Sequence, residues 1–480
     1  MTAPFLWIAM PLGLAVVLFF LRAWPRAIAF VGAGLSLVLA FAAWQLPLDA
    51  PVALGVTTLR VSSTLEVLGR SFTISDVDRP LLVVLFLLSA AWSLGAVLAR
   101  PVNLFVPVSL AITSLLIAAL SVEPFLYAAL LIEIAVLLSV PLLVPPGQRP
   151  GRGVFRFLAF QTIGMPFILF VGWLLVGVEA SPSDLDLVVR AAVLIGLGFA
   201  FLLAVFPFHS WLPMLGEEAD PFVVAFLALM LPGVVSLFAM GFLNRYAWLR
   251  DSADVYSLLA IQGAVMVLLG GLGAALQKNL GKVLGYTALF EIGLSLLSIS
   301  LVDQHGTGFF FALLLPRSLA LIVLGIGVSR LKHLTGGGLT RADLRSLGWQ
   351  HPAVSISVLV ALFTLAGVPL LAAFPVRLGL WMALAGQSLW LAGAALLGGG
   401  GLLLSGLRFL LTLISQPDPE EEKVEVFTPD QEDAYTQTPV FLRWFLFGIG
   451  SFALLLIGIF PQWVYPLLAD LQAIFPQLVP

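Results

Sequence analysis

The sequence predicts an all-α polytopic membrane protein of fourteen transmembrane helices. Two observations predict it. Of 480 residues, 60% are hydrophobic and only 10% charged, with a mean hydropathy of +1.08, more apolar surface than a soluble core needs. The apolar residues also fall into runs of about 20, the length that crosses a bilayer as a helix.

The runs are 5–21, 27–47, 80–98, 102–120, 124–144, 157–178, 187–208, 222–243, 255–276, 282–301, 307–329, 352–385, 388–413 and 440–461. Met1-Thr2-Ala3-Pro4 lacks a basic region, so the first run reads as a membrane helix and not as a cleaved signal. Residues 49–78 are polar and β-like (Val56-Thr57-Thr58-Leu59, Ser71-Phe72-Thr73-Ile74), which predicts an extramembrane hairpin. The seventh run ends in Ala204-Val205-Phe206-Pro207-Phe208-His209-Ser210-Trp211-Leu212-Pro213. Pro207 cannot donate to the helix ladder, so the helix breaks or loosens there. Residues 352–385 are too long for one straight span and contain Gly367 and Pro369, so the twelfth run reads as a discontinuous helix. Residues 416–439, with Glu420-Glu421-Glu422 and Asp430, read as a solvated acidic linker.

An inverted repeat organises these elements. Glu133 on the fifth helix has a counterpart in Glu291 on the tenth, and Pro207 on the seventh in Pro369 on the twelfth. Both pairs are five helices apart. Five is odd, so two five-helix units of opposite orientation are expected, with ion sites at discontinuous helices 7 and 12. The expected divisions are 1–100 (three peripheral helices), 101–243 (helices 4–8), 255–413 (helices 9–13), 414–439 (acidic loop) and 440–480 (last helix and tail). Arg22, Arg26, Arg100, Arg149, Arg152, Arg330 and Arg345 lie in loops on one side. The positive-inside rule makes that side cytoplasmic and places both termini outside an inner (plasma) membrane.

Composition excludes several chemistries. There are no cysteines and only four histidines, and no phosphate-binding loop occurs. No cofactor, metal or redox site is therefore expected. The net charge of −3 gives no reason to expect a nucleic-acid partner.

Five residues stand out for chemistry: Glu133, His209, Glu291, Arg317 and Arg377. The four charged ones lie in apolar sequence, where each costs on the order of 3 kcal/mol unless it faces protein or water. They read either as proton-relay sites or as static ion pairs that lock helices. Glu291 and Arg317, on consecutive helices at similar depth, are expected to form a salt bridge. Glu133 has no basic neighbour in sequence. His209 beside Pro207 reads either as part of an ion site at a broken helix or as an interfacial anchor with Trp211.

These blocks together resemble the antiporter-like membrane subunits of respiratory complex I, the N-type most of all, with M-type and Mrp antiporter relatives close behind. The blocks are Phe206 to Pro213, Ala225-Phe226-Leu227-Ala228, Gln277 to Tyr286, and Leu365-Ala366-Gly367-Val368-Pro369-Leu370 leading to Phe374 and Arg377. The resemblance implies a subunit of a complex I-like or Mrp-like assembly, with other membrane subunits as partners. It also implies passage of protons or Na+ through half-channels along a buried polar axis, and redox chemistry only in partners. The family's fifth-helix Glu falls on Glu133, and its eleventh- and twelfth-helix bases fall on Arg317 and Arg377. Its central lysines have no counterpart. Leu202 stands at the seventh-helix position, no Lys or Arg occurs between Arg190 and Arg245, and Asn279-Leu280-Gly281 replaces Asp-Leu-Lys. Arginine is effectively never deprotonated, so the axis lacks its titrating bases. A non-conducting structural subunit of the same kind of assembly is the alternative.

Overall fold

Apolar chain can satisfy its backbone in lipid only as helix or closed barrel, and this chain takes the first route. The computed structural model describes residues 2–54, 57–144, 147, 149–180, 185–301, 306–416 and 440–478. The acidic segment 417–439 lies outside the described residues. Among the described residues, ten helices are long and apolar enough to cross a membrane, and Phe5–Phe20, Phe105–Ser121, Pro352–Ala366 and Phe447–Ile459 are shorter apolar helices.

In order, the elements used below are α1 (Met10–Phe20), α2 (Pro25–Gln45), α3 (Arg79–Ala99), α4 (Phe105–Ser121), α5 (Ala128–Leu143), α6 (Arg152–Ala180), α7 (Leu185–Leu202) and α8 (Trp211–Glu218). They continue with α9 (Pro221–Arg245), α10 (Ala247–Arg250), α11 (Ala253–Leu276), α12 (Leu280–Ile299), α13 (Gly306–Leu334), α14 (Leu347–Gln350), α15 (Pro352–Ala366), α16 (Phe374–Gln387), α17 (Leu389–Ile414) and α18 (Val440–Ile459). Between α2 and α3 the expected single hairpin is two: β1 (Pro51–Leu54) pairs with β2 (Thr57–Arg60), and β3 (Thr64–Val67) with β4 (Arg70–Thr73). A short β5 (Val122–Glu123) extends the second pair after α4.

Burial grades the helices. α9 and α12 are the most enclosed of these spans, 89% buried, whereas only 33% of the α6 span and 28% of the α7 span is buried. Starts are fixed by side chains. Asp220 accepts from the amides of Phe222 and Val223 at 2.9 and 3.3 Å, and Asn279 from those of Gly281 and Lys282 at 2.8 and 3.2 Å. Each satisfies amides that a helix start leaves orphaned.

Two helices are interrupted, and they close in the same way. α7 ends at Leu202, with Ala204 left-handed at φ 53. The Val205 amide bonds the Ala200 carbonyl at 2.9 Å, and the Ala204 amide bonds that of Phe201. α15 ends at Ala366, with Gly367 left-handed at φ 82. Here the Val368 amide bonds the Phe363 carbonyl at 3.0 Å, and the Gly367 amide bonds that of Thr364. Both are Schellman closures. α7 therefore ends five residues before Pro207, because the left-handed turn closes the helix ahead of the proline.

The piece after the first interruption, α8, lies directly on α12. Added methyl groups at Gly216, Gly281 and Gly285 would each collide with backbone of the other helix. Small residues let membrane helices approach this closely. A side chain at position 281 has no room, so the lysine implied there by resemblance could not be accommodated in this packing.

Candidate functional site

The break after α15 leaves last-turn carbonyls without helical partners. One of them, Leu365, accepts from Nη1 of Arg377, which enters from the first turn of α16. Arg377 is wholly buried. Its Nη2 donates to Oε1 of Glu291 on α12, also buried. Gly367 makes room for this arrangement: a methyl group there would sit 3.0 Å from Cδ of Arg377. The Arg377 guanidinium also lies 5.0 Å from the centre of the Phe290 ring.

Arg317 on α13 reaches the same helix one turn further on. Its Nη1 donates to Oγ of Ser295 and lies 3.5 Å from the Glu291 carbonyl, while Ser295 itself donates to that carbonyl at 3.1 Å. The structure thus corrects the expected Glu291–Arg317 salt bridge: the carboxylate pairs with Arg377 instead. The physical reason is the second break. It brings a guanidinium and an unsatisfied carbonyl to Glu291 together, so Arg377 makes a charge-assisted bond and caps a helix at once. Arg317, Ser295, Glu291 and Arg377 form one buried row across α13, α12 and α16. The row thus sets two guanidinia against one carboxylate.

The first half is built differently. Glu133 on α5 is buried, and its Oε1 accepts from the Thr162 hydroxyl of α6 at 2.7 Å. Its Oε2 has no hydrogen-bond partner, and no basic side chain pairs with it among the described residues. Next to Thr162, Gln161 donates from Nε2 to the Leu202 carbonyl at 3.0 Å. Leu202 stands two residues before Ala204, as Leu365 stands two before Gly367. The carbonyl that Arg377 caps in one break is capped by a neutral amide in the other. The Leu202 side chain is buried against Gly164 of α6, where a methyl group would lie 2.8 Å from its Cγ. An apolar contact therefore fills the place where a lysine is implied by resemblance.

His209 lies in the short helical turn Phe208–Ser210, just before α8. Its ring stacks on that of Phe206 at 5.8 Å, and Nδ1 is enclosed. Arg156 of α6 reaches Oγ of Ser210 at 3.2 Å, tying the turn to the start of that helix. The structure thus brings Glu291, Arg317 and Arg377 together; Glu133 and His209 have separate partners. Pro207, Gly367 and Pro369 all lie within the two interruptions. Sequence reasoning passed over Gln161, Thr162 and Ser295. The first two are adjacent polar residues in an apolar run. Ser295 is four residues past Glu291, on the same helical face.

Residues 157–401 match the family described as NADH:quinone oxidoreductase/Mrp antiporter, TM. NADH-quinone oxidoreductase subunit N of Buchnera aphidicola subsp. Acyrthosiphon pisum is 28% identical over 50% of this chain and 50% of its own length. The chain thus spans about half the length of that relative and of others like it. NADH-quinone oxidoreductase subunit 14 of Thermus thermophilus is 27% identical over 86% of this chain and 91% of its own length. Among solved structures, a chain of the Mrp complex from Dietzia sp. superposes with a TM-score of 0.76 at 20% identity, covering 98% of this chain and 97% of that one. A chain of respiratory complex I from Thermus thermophilus gives 0.73 at 22% identity, covering 99% and 100%. At these identities the structural likeness speaks to fold.

Proposed function

The chain belongs to the NADH:quinone oxidoreductase/Mrp antiporter membrane family, and from that premise we propose that it is an ion-translocating subunit of a complex I-like or Mrp-like assembly. Protons, or Na+, pass through half-channels along the buried axis of Glu133, His209, Glu291, Arg317 and Arg377. One observation carries the reading: two enclosed carboxylates, Glu133 and Glu291, each with an oxygen that has no hydrogen-bond partner among the described residues. Such oxygens can accept a proton or a bound water. Glu291 held by Arg377 is the closed state of the second half, and conduction requires that ion pair to open. NADH and quinone chemistry belongs to partner subunits. Two inverted five-helix units, with both termini outside the inner membrane, complete the reading; the matching Schellman closures of α7 and α15 support it.

A second reading is favoured by two other features. Leu202 replaces a titrating base, and the buried row holds two arginines, which do not shed their protons, against a single carboxylate. A fixed positive charge inside a membrane path repels cations. On that reading the chain is a non-conducting structural subunit of the same kind of assembly.

Proton uptake by the assembled complex in proteoliposomes separates them. With Glu291→Gln, uptake per complex is expected to fall by about a hundredfold, the low end of what a positioned proton carrier contributes. Unchanged uptake at normal assembly would establish the structural reading.

A further inference from the structure

We propose that the groove where α2, α3 and α4 meet binds the headgroup of an anionic phospholipid. A cavity of about 230 Å³ opens there, walled by Ile28, Val97 and Val106 and carrying Arg26, Arg100 and Asn103 at its polar end. Its eleven lining residues include two arginines and no carboxylate. Neither arginine forms a salt bridge among the described residues.

Both guanidinia are placed against local preference or strain. Arg26 occupies the first turn of α2, which holds no acidic residue; a cation there opposes the helix dipole. Arg100 caps α3 in the left-handed conformation, φ 55 and ψ 51, a position glycine fills at lower cost. Its charge does suit a helix C-terminus, so Arg100 alone has a structural explanation. For Arg26 the positive-inside rule accounts for the side of the membrane but not for a place in the first turn of a helix, and an anion shared between the two would neutralise both. Paired guanidinia offer the forked donors that match phosphate oxygens.

The apolar face beside the cavity selects a lipid over a free anion. Arg26, Phe30, Leu37, Phe41 and Trp44 follow one another at helical spacing along α2, and the four apolar ones are all exposed. A headgroup phosphate held by Arg26 would place its acyl chains along that stripe. Trp24, 65% exposed beside the opening, has the amphipathic ring favoured at a headgroup boundary. The floor is firm, because Gly32 brings α2 into contact with Val106 of α4 and Ser93 of α3.

The test titrates the detergent-solubilised full chain with phosphatidylglycerol, phosphatidylcholine or inorganic phosphate and reads bound species by native mass spectrometry. The parent is expected to prefer phosphatidylglycerol over phosphatidylcholine by about tenfold, the scale of one or two charge-assisted bonds. Arg26→Gln with Arg100→Gln should abolish that preference. Arg149→Gln, an exposed arginine away from the groove, should keep it. Val97→Phe fills the cavity without touching charge and should also abolish it, which decides the matter if the double variant does not fold. Equal retention of the two lipids by the parent would overturn the proposal. So would full phosphatidylglycerol binding in the double variant or in Val97→Phe, or displacement of the lipid by phosphate at equal concentration.

Discussion

Arg377 cannot give up its proton to relieve its burial, so its stability rests on Glu291 and the Leu365 carbonyl. Glu291→Ala would strand the guanidinium, and Arg377→Ala would strand the carboxylate. Each single change is expected to cost about 3–5 kcal/mol, and the double change less than either. Unfolding in mixed detergent micelles measures this, and a double-mutant cycle showing simple additivity would count against the pair. Glu133 is in the opposite position. It has a hydroxyl partner and no base, and with Leu202 in place of the paired lysine the first half-channel is expected to carry little of the flow, so Glu133→Gln should change proton uptake by less than about twofold, far below a general acid–base contribution. Leu202→Lys would supply the missing base, and uptake should rise. A collapse of uptake in Glu133→Gln would show that the carboxyl works without a lysine.

The two breaks show what an element's sequence reveals and what it hides. Pro207, Gly367 and Pro369 marked both interruptions, because glycine and proline act through the backbone of their own segment. The groups that satisfy the freed carbonyls were not legible. Gln161 and Arg377 are brought to Leu202 and Leu365 by packing between helices, which no local pattern encodes. The same holds for Glu291, whose partner followed from the break and not from the adjacent helix. The contact of α8 with α12 was equally hidden, since Gly216 and Gly281 read as ordinary small residues until their backbones meet. Gly367→Ala should destabilise by about 1–3 kcal/mol, from its positive φ and the crowding of Arg377. Gly233→Ala has open space at its Cβ position and should be near neutral. Comparable losses in both would mean that helix propensity, and not the break, sets the effect.

At the scale of the whole molecule, the inverted arrangement makes a claim about sides that charge placement and topology must satisfy together. Arg149, between α5 and α6, belongs to the basic set, whereas Asp251, between α10 and α11, belongs to the opposite one; both are exposed. If the two five-helix units are inverted, these loops face opposite sides of the membrane. The chain contains no cysteine, so a single introduced thiol reports its own position without background. Arg149→Cys should resist a membrane-impermeant maleimide in intact spheroplasts and react once the membrane is opened. Asp251→Cys should react in the intact cells. Neither residue forms part of the buried row, so labelling reads topology without disturbing the axis. Reaction of both from outside would remove the inversion, and with it the reason for treating Glu133 and Glu291 as counterparts. Reversed labelling of both would keep the inversion and place the termini in the cytoplasm, against the positive-inside reading of Arg22, Arg26 and Arg100.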